Sequence, residues 1–306
     1  MTAGEYIIEG NGLTKSYGSV QALRGVSFTA RRGAITGLVG PDGGGKSTLL
    51  RIALTLLSRD GGSLRVFGCD PDAERKTIRS RTGYMPEVFS LYSDLSVEEN
   101  LQFSFRIHQM DTALYGPRLE RLYAFNHLKA FAKTRAGALS GGMKQKLALS
   151  CAMMHDPELL VLDEPTTGVD PLSRREFWHM LQDLRDTGLS IVVSTPYMDE
   201  ALLCDTVWLM FRGTMLSSGK PEALTASFRG TMYEIGPADT GADLSAERLR
   251  RAYPGAAVYL SGRNVHFGTE RPDEPAPQLG LDAGTPVRRI QPDLEDLFMM
   301  NILRRD

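Results

Sequence analysis

Short apolar runs recur along the chain and alternate with segments whose apolar positions are spaced as in helices. Strands buried on both faces of a parallel sheet are nearly continuous apolar runs. Three runs have this composition: ITGLV at 35–39, LLVL at 159–162 and IVVS at 191–194. Further β-rich runs lie at 6–9, 26–30 and 207–211. The pattern predicts an α/β fold with a mostly parallel sheet.

The stretch from about 97 to 154 differs from its surroundings, because it shows almost no strand signal. It opens with SVEE at 96–99, in which the Ser96 hydroxyl and the Glu99 carboxylate can satisfy free amides of a first helical turn. We expect a helical subdomain there.

The pattern changes again after residue 228. One helix is predicted at 245–253, a Pro-rich loop has the sequence RPDEPAP, and short strands are predicted at 231–235, 257–260 and 264–267. We therefore predict two domains, a large one at 1–228 and a small α+β domain at 229–306.

The composition excludes some classes of protein. Of the 306 residues, 42% are hydrophobic and 24% are charged, which is typical of a folded globular chain rather than a disordered one. Lys and Arg number 35 against 37 Asp and Glu, so the net charge is −2. A protein that binds nucleic acid through its phosphates usually carries a positive field, and we expect no such partner.

Cysteine usage and hydropathy favour a cytoplasmic chain. Cys69, Cys151 and Cys204 are far apart and lack metal-ligand spacing, as expected of reduced thiols. No run approaches the roughly 20 apolar residues that cross a bilayer, and the N-terminus lacks a signal-peptide pattern. If the protein serves a membrane process, other chains must supply the spans.

The strongest local motif is GPDGGGKST at 40–48, between a buried run and a predicted helix at 48–57. It matches G-x-x-x-x-G-K-[ST], in which backbone N–H groups surround phosphate oxygens, a lysine adds a cation and a hydroxyl reaches Mg²⁺. The alternative is an ordinary glycine turn. We predict a nucleoside triphosphate site that uses Gly40, Asp42, Gly43, Gly44, Gly45, Lys46, Ser47 and Thr48.

A second acidic motif follows the apolar run LLVL, where the sequence continues with Asp163 and Glu164. Asp163 can serve Mg²⁺, and Glu164 can activate the water that attacks the γ-phosphorus. An acidic strand end by itself is usually only a solvated cap. Together with the phosphate loop, it predicts hydrolysis.

Between these motifs stands LSGGMKQK at 139–146, in which Ser140 can cap a helix running from 141 to 154. With an aromatic residue at 17, GVDP at 168–171 and a switch segment near 196, the ordered set resembles the nucleotide-binding domain of ABC transporters over residues 5 to 225. The resemblance implies a P-loop NTPase fold of the ABC-ATPase type. Such a fold has a RecA-like core, an antiparallel β subdomain and a helical subdomain.

The resemblance also implies roles for single residues. Tyr17 would stack on adenine, Glu164 and Lys46 would act in catalysis, and Ser47, Asp163 and Glu87 would hold Mg²⁺. In a head-to-tail dimer, the ATP bound to a second ATPase domain would be contacted by Ser140, Gly141, Gly142 and Asp170.

Four segments resemble ATPases of ABC-2-type, drug-exporter-like systems, most of all the N-terminal half of the tandem YbhF type: GPDGGGKST, LSGGMKQKLAL, GVDPLSRREFW and DLEDLF at 293–298. This implies an exporter subunit that binds ATP and Mg²⁺ at the inner face of the cell membrane, with polytopic permease subunits and a second ATPase as partners. A heterodimer or tandem arrangement is favoured over a homodimer. The alternatives are an ABC-type ATPase unconnected with transport, or a regulatory ATP binder that does not hydrolyse.

Two positions depart from the family pattern. Glu87 stands where the family has Gln, and a carboxylate can only accept hydrogen bonds. Pro196 stands where the family has His, and proline offers neither a side-chain donor nor an N–H; only Thr195 and Tyr197 lie near enough in sequence to replace it. Glu164 and LSGG are intact. We therefore expect a weak site on this chain and an intact surface for a partner's site.

Overall fold

The computed structural model describes residues 4–88, 90–236, 242–278, 281–282 and 284–303. The chain divides into two compact units, Met1–Ser218 and Gly219–Asp306. This division lies before the predicted boundary at 228, because a short helix at Pro221–Ala226 packs against the last helix of the second unit, Leu294–Leu303. Nothing in the sequence of this short helix predicts that it contacts the last helix.

The first unit is built on a six-stranded sheet and a three-stranded sheet. Its strands are β1 (Tyr6–Tyr17), β2 (Val20–Arg31), β3 (Ile35–Val39), β4 (Gly61–Val66), β5 (Thr82–Met85), β6 (Leu159–Asp163), β7 (Ser190–Thr195), β8 (Thr206–Phe211) and β9 (Thr214–Gly219). Its helices are α1 (Lys46–Ala53), α2 (Arg75–Ser80), α3 (Val97–Ile107), α4 (Tyr115–Asn126), α5 (Gly141–Met153), α6 (Pro171–Asp186) and α7 (Met198–Ala201).

The larger sheet has the order β5-β6-β7-β3-β8-β9, and β5, β6, β7, β3 and β8 pair in parallel. Every residue of β3, β6 and β7 is buried, as their apolar sequences predict. The carboxyl ends of parallel strands share one edge of a sheet. The phosphate loop after β3, the acidic end of β6 and the switch segment after β7 are therefore brought to the same edge.

The smaller sheet is antiparallel, with the order β2-β1-β4. Its strands β1 and β2 each extend over 12 residues and are much longer than the runs at 6–9 and 26–30. The predictions there were too short, since exposed polar positions and several register shifts interrupt the apolar alternation.

Helix α1 also differs from its prediction at 48–57. It begins at Lys46 and ends at Ala53, and Thr55 has a left-handed backbone with φ of 61°. Arg79 holds that turn by donating to the Thr55 hydroxyl and carbonyl at 2.7 and 2.8 Å. A side chain distant in sequence therefore stabilises the end of the helix.

Helices α3, α4 and α5 form a hydrophobic core of their own, which includes Leu101, Leu122 and Leu147. Both hydrogen bonds of the predicted capping box are present at the start of α3. The Ser96 amide donates to the Glu99 carboxylate at 2.7 Å, and the Glu99 amide donates to the Ser96 hydroxyl at 3.2 Å. Among the described residues, no helix has the length and apolarity needed to cross a membrane.

The second unit contains a four-stranded antiparallel sheet in the order β11-β12-β10-β13. Its elements are α8 (Pro221–Ala226), β10 (Thr231–Ile235), α9 (Ala242–Ala252), β11 (Ala257–Ser261), β12 (Asn264–Thr269), β13 (Val287–Ile290) and α10 (Leu294–Leu303). Leu249 of α9 packs with Phe267, whereas Met300 of α10 packs with Met232 and Ala257. Side chains alternate between the faces of a strand, so α9 and α10 cover opposite faces.

A buried polar cluster joins α10 to this sheet. Asp296 accepts hydrogen bonds from the Tyr259 hydroxyl and from His266 Nδ1, the latter at 2.5 Å. His266 Nε2 lies 3.8 Å from a Glu234 carboxylate oxygen, and Asp293 lies close enough to act on the ring electrostatically. The hydrogen bond to Asp296 raises the pKa of His266, although burial opposes this.

We expect this cluster to make the second unit pH-sensitive. The folded-state pKa of His266 is above its unfolded value of about 6.5, so the charged ring stabilises the fold below that pH. This contribution is lost as pH rises through the folded-state pKa. Thermal unfolding of the full chain between about pH 6 and 9 should show a loss of about 1 kcal/mol that His266→Gln lacks. Identical pH profiles would refute the assignment.

Candidate functional site

The phosphate loop occupies the turn between β3 and α1. Gly45 has φ of 101° and caps α1 without a side-chain hydrogen bond. That backbone conformation favours glycine, and the first amides of a helix have no intrahelical acceptor and can bind a ligand. The predicted phosphate cradle is therefore a helix N-terminus preceded by a tightly folded loop, which is an arrangement that binds anions.

Lys46 connects the phosphate loop with the acidic end of β6. Its side chain is only 3% exposed, and Nζ donates to the carbonyl oxygens of Gly40 and Pro41 at 2.8 and 3.1 Å. The same Nζ lies 3.0 Å from Glu164 Oε1. The cation and the predicted catalytic carboxylate are thus direct neighbours.

Asp163 is fully buried at the end of β6. Its Oδ1 accepts hydrogen bonds from the hydroxyls of Ser47 and Ser194 at 3.2 and 2.6 Å. Among the described residues its Oδ2 has no hydrogen-bond partner. A buried carboxylate oxygen without a donor is costly unless a cation satisfies it.

These side chains fit a magnesium ion. Ser47 and Asp163 supply oxygen ligands next to the phosphate loop, and Glu87 lines the same cleft. No group of three or more His, Cys, Asp or Glu that could hold a metal occurs in the described part of the chain. Mg²⁺ would therefore need phosphate oxygens and water as well, and when bound it would neutralise charge on the phosphates.

Glu164 has an unusual backbone with φ of 50°. Its amide donates to the carbonyl and the hydroxyl of Ser194 at 3.2 and 2.9 Å, and Oε2 accepts from the Thr167 hydroxyl at 3.3 Å. Strained backbone of this kind persists where surrounding contacts enforce it, often at functional sites. Ser194 thus positions both Asp163 and Glu164, a role that no motif in the sequence indicates.

An open cleft of about 690 Å³ lies over the loop. Most of the predicted residues line it: Tyr17, Asp42, Gly43, Gly44, Gly45, Lys46, Ser47, Thr48, Glu87 and Glu164. Tyr17 is 48% exposed, as a ring that stacks on a base needs to be. Sequence reasoning missed Arg24 and Arg212, which also line the cleft, because neither belongs to a recognisable motif.

Ser140, Gly141, Gly142 and Asp170 are not among the residues that line this cleft. They begin two neighbouring helices: Ser140 caps α5 by accepting from the Met143 amide at 3.3 Å, and Asp170 caps α6 by accepting from the Ser173 amide at 2.9 Å. A Cβ on Gly142 would lie 2.5 Å from the Ser173 hydroxyl, so this glycine permits the helices to approach.

The switch segment after β7 is held by contacts other than those of a histidine. The Thr195 hydroxyl donates to Glu200 and accepts from the Tyr197 amide at 3.1 Å. The Tyr197 ring lies 4.1 Å from the Arg174 guanidinium. None of these three switch residues, Thr195, Pro196 and Tyr197, lines the nucleotide cleft.

A second cavity, of about 330 Å³, lies between the end of β5 and the helices α3 and α5. Tyr92 and Phe103 line it, 51% and 38% exposed, with ring centroids 4.7 Å apart. Asn100 fixes Tyr92 by bonding its amide and carbonyl, each at 3.0 Å. We refer to this cavity as the lateral groove.

The segment at 87–92, part of which lines the lateral groove, is exposed and apolar only in part. Val88 is 75% exposed and Tyr92 is also exposed, but Leu91 packs against the core of the helical region. Phe89 lies outside the described residues.

A mostly parallel sheet whose edge carries the phosphate loop, Lys46 and two carboxylates defines a P-loop nucleoside triphosphatase. The ABC transporter family matches residues 23–167. The chain is 36% identical to the "Nod factor export ATP-binding protein I" of Rhizobium sp. (strain N33) over 290 residues, 94% of each chain. The chain belongs to the ABC transporter family and is an ATPase of that family.

Two further comparisons agree with this assignment to the ABC transporter family. Over 225 residues the chain is 41% identical to the "Probable multidrug ABC transporter ATP-binding protein YbhF" of Escherichia coli (strain K12). That match covers 74% of this chain and 39% of the relative, so the chain spans about two fifths of that protein. The structure of cbiO1 from Clostridium perfringens, part of the ABC transporter complex cbiONQ, aligns with a TM-score of 0.68 and 26% identity, covering 73% of this chain and 92% of the other.

Proposed function

We propose that this chain is the ATPase subunit of an ABC exporter and uses Mg-ATP to drive transport through separate membrane subunits. The observation that carries the proposal is the meeting of Lys46, Asp163 and Glu164 beside one helix N-terminus. The export direction is supported by the names of its relatives, a Nod factor export protein and a probable multidrug transporter protein. Calorimetry of the full chain with Mg-ATP tests the first step, and absence of binding would contradict the proposal.

A second ATPase domain is the first partner that we propose. The helix that Ser140 caps begins at Gly141, which is exposed, and that helix start is not part of the chain's own cleft. A helix N-terminus attracts phosphate, so it can complete a cleft on another copy or on a related chain. Two domains in head-to-tail contact would then share their sites.

We propose that the two shared sites are unequal. Glu87 adds a negative charge to the cleft, and Pro196 removes the donor that a histidine would offer to the γ-phosphate. Of the two side chains that could replace it, Thr195 donates to Glu200, the Tyr197 ring lies against Arg174, and neither lines the cleft. This supports slow turnover in the cleft of this chain and faster turnover in a partner's cleft. A heterodimer or a tandem arrangement suits such inequality.

We propose that the lateral groove receives an amphipathic helix from a permease subunit. The Tyr92–Phe103 pair and the exposed Ile107 line the cavity with apolar surface, as helix recognition requires. Val88, four residues before Tyr92 in the sequence, is a further exposed apolar side chain. Such docking would hold the chain at the cytoplasmic face of a membrane.

Cysteine cross-linking checks this docking surface. In a Cys69→Ser background, Val88→Cys and Tyr92→Cys should form efficient cross-links with cytoplasmic loops of the permease. Cys151 and Cys204 are buried and should stay unreactive, whereas Cys69 is partly accessible. Val20→Cys is the matched control, because Val20 is 65% exposed but lines the nucleotide cleft. Cross-links at position 20 alone would contradict the assignment.

A further inference from the structure

The turn between β8 and β9 interlocks with the phosphate loop. The Gly213 amide donates to the Gly44 carbonyl at 2.9 Å, and the Gly213 carbonyl accepts from the Arg24 amide of β2 at 2.8 Å. On β8, just before the turn, the Met210 carbonyl oxygen would clash with a Cβ on Gly40, so this strand packs closely against the start of the phosphate loop. This turn is therefore fixed at the wall of the cleft by contacts on both of its sides.

Arg212 is the exposed residue of this turn and lines the cleft. Its φ is 45°, a left-handed conformation that glycine adopts without cost and that a branched or long residue adopts reluctantly. The guanidinium lies 4.9 Å from the centroid of the Phe211 ring. Residues held in sparsely populated backbone conformations cluster at functional sites, and Arg212 is such a residue at the wall of the cleft.

The charges around the cleft indicate what that role is. Its lining holds three basic side chains, Arg24, Lys46 and Arg212, and three acidic ones, Asp42, Glu87 and Glu164. Lys46 is paired with Glu164 and with carbonyl oxygens, so its charge is partly offset before any anion arrives. Glu87 contributes one of the acidic charges. The other two cations of the lining are Arg24 and Arg212, and Arg212 lies on the turn whose Gly213 amide donates to Gly44 of the phosphate loop.

We propose that Arg212 binds the phosphate chain of the nucleotide and offsets the charge of Glu87. The proposal rests on the binding of Mg-ATP in this cleft. A guanidinium donates charge-assisted hydrogen bonds to phosphate oxygens, and its planar fork suits two of them at once. Arg212 would act in binding rather than in catalysis.

Two variants of the full chain test the proposal. Arg212→Gly should raise the Kd of Mg-ATP about tenfold, the loss expected for one charge-assisted contact. Its melting temperature without nucleotide should stay constant or rise, because glycine relieves the strain at φ of 45°. Arg212→Lys keeps the charge and should restore the Kd to within about threefold of the native value.

His127→Gly is the matched control, because His127 is exposed and left-handed at φ of 59° but does not line the cleft. It should leave the Kd unchanged. A Kd for Arg212→Gly within about twofold of native would overturn the proposal while leaving Mg-ATP binding intact. The proposal would also be overturned if both Arg212 variants bound more weakly and melted at a lower temperature. Arg212 would then stabilise the fold rather than bind the nucleotide.

Discussion

Lys46→Ala should lower the affinity of the full chain for Mg-ATP by about a hundredfold or more, because it removes a cation that would donate charge-assisted hydrogen bonds to phosphate oxygens, each worth about 1.5–3 kcal/mol. The variant also leaves Glu164 without its partner at 3.0 Å, and the uncompensated carboxylate would repel the phosphates. Calorimetry or a fluorescent nucleotide measures the loss.

Lys129→Ala provides the control, because this lysine pairs with Glu120 at 2.5 Å outside the cleft. It should bind Mg-ATP like the native chain. Thermal unfolding of both variants shows whether the fold is kept. Micromolar affinity in folded Lys46→Ala would contradict the assignment of the phosphate site.

The parts of the fold that the sequence predicts well are those where local pattern and burial coincide. Strand β3 is apolar and buried throughout, and its predicted range is identical to the observed one. Strands β4, β5, β9 and β13 were missed, since they are short and have mixed sequences, such as GGSLRV and VRRI. They are strands because neighbouring strands pair with them, which no local pattern records.

The residues of the candidate site fall into two groups in the same way: those in local motifs are predicted from the sequence, and those placed by tertiary contacts are not. Lys46, Ser47, Asp163 and Glu164 belong to contiguous motifs, and the structure brings them together at the edge of one sheet. Ser194 and Arg212 were not predicted. Ser194 contacts Asp163 from the adjacent strand, and Arg212 reaches the cleft on a turn about 170 residues from the phosphate loop. Their positions follow from tertiary contacts alone.

The second large effect concerns Gly141, at the start of α5. A Cβ there would meet no atom within 4 Å, and a carboxylate in the first turn of a helix favours the helix. Gly141→Asp should therefore keep the fold. In the assembled complex it would place a negative charge against the partner's γ-phosphate and lower ATPase activity by about 10²–10³-fold, the effect of losing one positioned electrostatic contact. Gly141→Ala is the uncharged control and should retain most activity.

The unequal sites are tested most directly by the steady-state ATPase rate of the assembled complex carrying Glu164→Gln in this chain. Glu164 lines the same cleft as Glu87, and the switch segment of this chain has Pro196 in place of a histidine. We expect this cleft to turn over slowly. The account therefore predicts that Glu164→Gln leaves much of the rate, whereas Gly141→Asp removes most of it. If Glu164→Gln instead removes nearly all ATP hydrolysis, the cleft of this chain is the hydrolytic one and the proposal of unequal sites is wrong.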